Sequence, residues 1–125
     1  MNIFNVLIAF ILICFATNVS AYGSSSSKKA CTKPKFTEFT PPHLSVVGTQ
    51  SEFSFLASSL TDPTTLKVDA KKQPVKVIIN KSNKGYSVTG KLPATLQSTY
   101  ARINIEATGT NKCQAKDGWL LKIED

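Results

Sequence analysis

Tyr100–Thr108 reads YARINIEAT, and its alternation decides the class of fold. Ala101, Ile103, Ile105 and Ala107 occupy one phase, and Arg102, Asn104 and Glu106 the other. Successive side chains of a β-strand point to opposite faces, so a period of two marks a strand with one apolar and one wet face. A helix would gather its apolar residues at spacings of three and four. Working outward, the same period recurs. Gly118–Ile123 sets Trp119, Leu121 and Ile123 against Leu120 and Lys122. Pro74–Asn80 (PVKVIIN) puts Val75, Val77 and Ile79 on one face and Lys76, Ile78 and Asn80 on the other. Thr65–Asp69 opposes Leu66 and Val68 to Lys67 and Asp69, and Ser51–Ser59 (SEFSFLASS) opposes Phe53, Phe55 and Ala57 to Glu52, Ser54 and Leu56.

Turn signals separate these stretches: Pro41-Pro42, Thr61-Asp62-Pro63, Lys71-Lys72-Gln73-Pro74, Ser82-Asn83-Lys84-Gly85, Leu92-Pro93 and Gly109-Thr110-Asn111. Short strands spaced by such turns indicate an all-β domain, and no segment carries a helical period beyond a turn at 94–98. The expected architecture is an immunoglobulin-like two-sheet β-sandwich of about seven strands, with an open barrel as the alternative. Leu56, Ile78 and Leu120 fall on the polar phase. They need no explanation if scattered, and would mark a contact surface if clustered on one sheet.

The amino-terminal segment reads differently. Met1–Ala21 (MNIFNVLIAFILICFATNVSA) holds an uninterrupted apolar run from Val6 to Ala16, too short to span a bilayer, and ends on Val19-Ser20-Ala21. Small residues at Val19 and Ala21 suit signal peptidase, so 1–21 is expected to be a cleaved signal peptide. Export to a periplasm or to the outside follows. A lipobox-like reading of Ile11-Leu12-Ile13-Cys14 is weaker, because Ile13 is bulky where a small residue belongs. Residues 22–30 (YGSSSSKKA) read as a flexible Gly/Ser/Lys linker, leaving 31–125 as the folded domain.

Subtracting the signal turns three cysteines into a pair. In an oxidising compartment Cys31 and Cys113 are expected to form one disulfide across nearly the whole domain. Chain-entropy arguments give such a loop up to roughly 4–5 kcal/mol of stabilisation.

The segments Val47-Gly48-Thr49-Gln50-Ser51-Glu52-Phe53-Ser54-Phe55 and Asn83-Lys84-Gly85-Tyr86-Ser87-Val88-Thr89-Gly90-Lys91-Leu92-Pro93 resemble the cadherin-like, immunoglobulin-type repeats of bacterial surface proteins. The match runs from about Pro41 to Thr108. It implies an immunoglobulin-like fold and a binding or accessory role, with Gly85 and Gly90 at positive-φ or bulge positions. Two departures stand out: Tyr100 lies on the outward phase, and Asp62, Asp69 and Asp117 stand alone where calcium-binding clusters would sit.

Chemistry is sparse. The single histidine, His43, follows Pro41-Pro42 in a connecting segment with no nucleophile motif nearby, so it reads as a loop residue and no enzyme is expected. One histidine, a disulfide-committed cysteine pair and no methionine after Met1 leave too few donors for zinc or copper. Neither a metal site nor a cofactor is expected. The positive hint is charge. Fifteen basic against eight acidic residues give +7, and Lys67, Lys71, Lys72, Lys76, Lys81, Lys84 and Lys91 crowd one stretch. If the strands pair as a meander, these lysines form a candidate surface for an anionic ligand. Lysines also protect strand edges from aggregation, which is the plainer account. With one aromatic among them, nucleic acid is not an expected partner. Asn80-Lys81-Ser82 fits the N-glycosylation pattern, a match common by chance. The expectation is a secreted, non-enzymatic binding or accessory module for an unknown protein or an anionic polysaccharide at a cell surface. An inhibitor or accessory subunit of another protein is the alternative, and a small hydrolase comes last.

Overall fold

The computed structural model describes residues 30–125. The expected signal peptide and nearly all of the expected linker lie outside the described residues. Nine strands form two sheets: β1 (Phe36–Thr40), β2 (Val46–Val47), β3 (Glu52–Ala57), β4 (Lys67–Ala70), β5 (Gln73–Pro74), β6 (Val77–Ser82), β7 (Gly85–Lys91), β8 (Thr99–Thr108) and β9 (Gln114–Ile123). One sheet runs β1-β3-β7-β6 and the other β2-β9-β8-β4-β5. The expected all-β sandwich is therefore what forms, its seven longer strands joined by two-residue edge pairings at β2 and β5.

The YARINIEAT stretch becomes β8, paired antiparallel with β9 from Thr99↔Ile123 to Thr108↔Gln114. Its alternation is realised: Ala101, Ile103, Ile105 and Ala107 are buried, as are Trp119, Leu121 and Ile123 opposite them. From the facing sheet come Phe53, Phe55 and Ala57 of β3 and Val88 of β7. Trp119 sits at the centre, with ring centroids of Phe39, Phe53 and Phe55 at 4.8, 5.9 and 6.1 Å. Tyr100 is exposed, as its outward phase requires.

A bulge explains how β1 supplies two aromatics to this core. Strict alternation would send Phe36 and Phe39 to opposite faces. The register moves from Thr37↔Leu56 to Thr40↔Ser54, one residue more on β1 than on β3, and Glu38 takes φ 54°. The extra residue flips the phase. Phe36 is buried against Phe55 at 6.0 Å while Phe39 turns in against Trp119.

Pro74–Asn80 is not one strand. Gln73–Pro74 pairs with β4 in the five-stranded sheet, and from Val77 the chain pairs with β7 in the other sheet. Proline has no N–H with which to continue a ladder, so the crossing falls just after Pro74. Val75, Val77 and Ile79 still turn inward as half-buried residues at the margin of the core.

Two glycines meet different demands. Gly85 has φ 136°, and a Cβ there would lie 2.2 Å from the Ala57 carbonyl oxygen. Gly90 needs no positive φ; its missing Cβ makes room for the Phe53 ring, whose Cζ would be 2.7 Å away. The positive-φ reading thus holds for Gly85, whereas Gly90 is required by packing.

Cys31 and Cys113 form the expected disulfide, 82 positions apart in sequence with Cα atoms 5.3 Å apart. Cys31 precedes β1 and Cys113 ends the β8–β9 turn, so the bridge fastens the segment before β1 to that turn and does not run mid-strand through the core.

Candidate functional site

The lysines are divided by the sheet crossing. Lys67 opens β4, and Lys71 and Lys72 make the β4–β5 turn of the five-stranded sheet. Lys76 lies on the crossing, Lys81 on β6, Lys84 in the β6–β7 turn and Lys91 at the end of β7, all associated with the other sheet. Several are engaged locally. The Lys71 ammonium donates to Thr99 Oγ1 at 2.9 Å, and Lys84 lies 3.8 Å from the Glu38 carboxylate, both side chains exposed. The meander within one sheet does not form: the chain switches sheets between β5 and β6, so the lysines are shared between the two sheets.

Near the crossing, an open groove of about 480 Å³ lies between Val75, Val77, Ile78 and Pro93, with Glu52, Lys76 and Lys91 among its lining residues. Ile78 is 67% exposed beside it. Leu56 and Ile78 belong to the four-stranded sheet and Leu120 to the five-stranded one, so the three off-phase residues do not gather on one sheet.

The aspartates remain separate. Asp62 Oδ1 accepts from the Thr64 N–H at 3.0 Å, capping a short 3-10 turn. Asp69 Oδ1 accepts from Asn104 Nδ2 at 2.8 Å and from the Lys72 N–H at 3.2 Å. Asp117 Oδ1 accepts from the Gly118 N–H at 2.7 Å. Among the described residues no three His, Cys, Asp or Glu side chains come together to hold a metal ion.

His43 is the side chain whose setting was least visible beforehand. It lies between the cis Thr40–Pro41 peptide and the edge strand β2. The Pro41 carbonyl accepts from the Trp119 indole N–H at 2.9 Å, which ties this corner to the centre of the core. The exposed imidazole accepts, at Nδ1, a hydrogen bond of 3.1 Å from the Leu120 backbone N–H. Leu44, with φ 68°, donates its own N–H to the Leu120 carbonyl at 2.7 Å. His43 is thus a fastener between β2 and β9. No local pattern could have revealed this, because the bonded partners are 77 residues apart; the pairing of β2 with β9 creates it.

No protein-family profile and no curated protein sequence matches this chain. Solved structures do. CopC from Methylosinus trichosporium OB3b superposes with TM-score 0.56 at 8% identity, over 73% of this chain and 93% of that one. PcoC, a methionine-rich copper resistance protein from Escherichia coli, superposes with TM-score 0.50 at 13% identity, over 74% of this chain and 99% of that one. At these identities the likeness is one of fold, and the fold is a β-sandwich of immunoglobulin-like type.

Two expectations are corrected by this. None of these neighbours is cadherin-like, so the surface-repeat resemblance does not extend beyond the immunoglobulin-like fold. The expected module for an anionic polysaccharide or a cell-surface partner is overturned as well, since the fold neighbours are CopC and PcoC, the latter a copper resistance protein.

The donor set is thin for a resident copper centre. PcoC is described as methionine-rich, whereas the only methionine of this sequence is Met1. Both cysteines of the domain are spent in the disulfide. His43 is the one imidazole. Thioether and thiolate suit copper(I) and imidazole suits copper(II), so residues 30–125 do not fit a closed, permanently filled copper site.

Proposed function

We propose that this chain is an exported, non-enzymatic β-sandwich that serves in copper handling, with copper as exchangeable cargo and not as a built-in cofactor. The observation that carries the reading is the superposition on CopC and on PcoC, a copper resistance protein, over nearly the full length of each. The signal-like Met1–Ala21 segment supports export. Cargo asks less of the donors than a resident centre does, because a carrier must release what it takes. Copper would be taken at an open position by the His43 imidazole, with water completing its shell.

The test is copper tolerance. Removing the gene from the organism that makes the protein should sensitise growth to elevated copper, and restoring the wild-type chain should recover it. Equal growth across a copper series, with and without the gene, would overturn the reading.

A further inference from the structure

We infer that the open edge of β6 is a docking site for an extended, acidic segment of a partner protein, which adds a strand to the four-stranded sheet. The inference goes beyond the copper reading and does not rest on it.

Each sheet has two edges, and three of the four are blunted. β2 and β5 are two residues long, and β5 carries Pro74. β1 is broken by the bulge at Glu38. β6 is different: all six residues of Val77–Ser82 pair with β7 in one unbroken register. On its other side no strand pairs with it among the described residues. A straight edge of this kind is a template to which another extended chain can add.

The ladder decides which backbone groups the edge presents. The Leu92 N–H donates to the Ser51 carbonyl at 3.0 Å, and this sets the phase in which Tyr86, Val88 and Gly90 bond to β3. Residues along an antiparallel strand bond alternately to its two neighbours. Gly85, Ser87 and Thr89 therefore bond to their β6 partners Ser82, Asn80 and Ile78. Val77, Ile79 and Lys81 are left with N–H and C=O groups aimed at the open side.

The surroundings specify the occupant. Beside the start of β6, the groove between Val75, Val77, Ile78 and Pro93 has room for apolar side chains. Lys76, Lys81 and Lys84 are exposed along the same edge. Lys84 reaches Glu38, whereas Lys76 and Lys81 have no ion pair among the described residues. A second copy pairing at this edge would set like charges against each other, and an acidic strand would meet them with opposite charge. The lysines that keep other copies away thus select the partner. It is an extended segment with an apolar centre and Asp or Glu on either side.

The experiment adds a synthetic peptide with a Val-Ile-Val centre and glutamate flanks to the exported chain, with no metal present, and follows amide hydrogen exchange by NMR. In the free chain the Ile78 and Asn80 amides should be protected, and those of Val77, Ile79 and Lys81 should exchange readily. At saturating peptide the second set should slow by about tenfold or more while the first changes little. Lys76→Glu/Lys81→Glu, a change confined to exposed side chains, should weaken the peptide by about fivefold or more. No slowing at millimolar peptide, or slowing spread evenly over both sets, would overturn the docking site. Equal binding of a lysine-flanked peptide would overturn the acidic occupant. Alternate slowing without peptide that grows with protein concentration would overturn it as well, by making the occupant a second copy. Copper tolerance bears on the functional reading alone, so either proposal can fail without the other.

Discussion

At the scale of single residues, the arrangement around Trp119 depends on groups whose roles differ in kind. His43→Ala removes the acceptor for the Leu120 N–H and should lower stability by about 1 kcal/mol. His43→Asn, with an amide oxygen placed near the position of Nδ1, should hold stability close to that of wild type; paired denaturant melts distinguish the two. Gly85→Ala combines a backbone at φ 136° with a Cβ pressed 2.2 Å from a carbonyl oxygen. It should be among the most disruptive small changes in the domain, costing about 2 kcal/mol or more in the same melts. That Gly85 required special backbone geometry was legible in the Ser82-Asn83-Lys84-Gly85 turn. The task of His43 was not, because its partner Leu120 is brought to it by strand pairing that no short window of sequence contains.

At the scale of elements, alternation foretold inward and outward faces well and sheet membership poorly. The apolar phases of β3, β8 and β9 point inward as expected. β1, β2 and β7 did not announce themselves. In β1 the Glu38 bulge breaks the phase between Phe36 and Phe39, and in β7 Gly90 leaves an inward position to the Phe53 ring while Gly85 opens the strand at positive φ against the Ala57 carbonyl. The β5–β6 crossing was hidden by unbroken alternation on both sides of Lys76, and that single switch assigns the lysines to two sheets instead of one. The β4–β5 turn offers a test of its own. Lys71 and Lys72 both adopt positive φ, 48° and 67°, between the paired Ala70 and Gln73. Two-residue hairpins of this form favour Asn-Gly. Lys71→Asn/Lys72→Gly should therefore raise stability by about 1 kcal/mol, moving the thermal midpoint up by about 4–8 °C. An unchanged or lower midpoint would mean that the Lys71–Thr99 contact outweighs the relief of backbone strain.

At the scale of the whole molecule, one disulfide and one aromatic-centred core hold two sheets together. The bridge spans 82 positions, so its restraint on the unfolded chain is large. Replacing both cysteines by serine should cost up to about 4–5 kcal/mol, a fall of roughly 20 °C or more in thermal midpoint. The disulfide and the sandwich were readable because each follows from global facts: the parity of the cysteines once the apolar Met1–Ala21 stretch is set aside, and a period of two throughout. Function was harder to read because it depends on which distant residues the fold brings together, and the proposed copper position rests on a single imidazole. The most direct test of its role is electron paramagnetic resonance of copper(II) added to wild type and to His43→Asn. The account predicts nitrogen hyperfine structure from one imidazole in the wild type and its absence in the variant, whose melting midpoint stays within about 2 °C of wild type. The same spectrum from both proteins would contradict it.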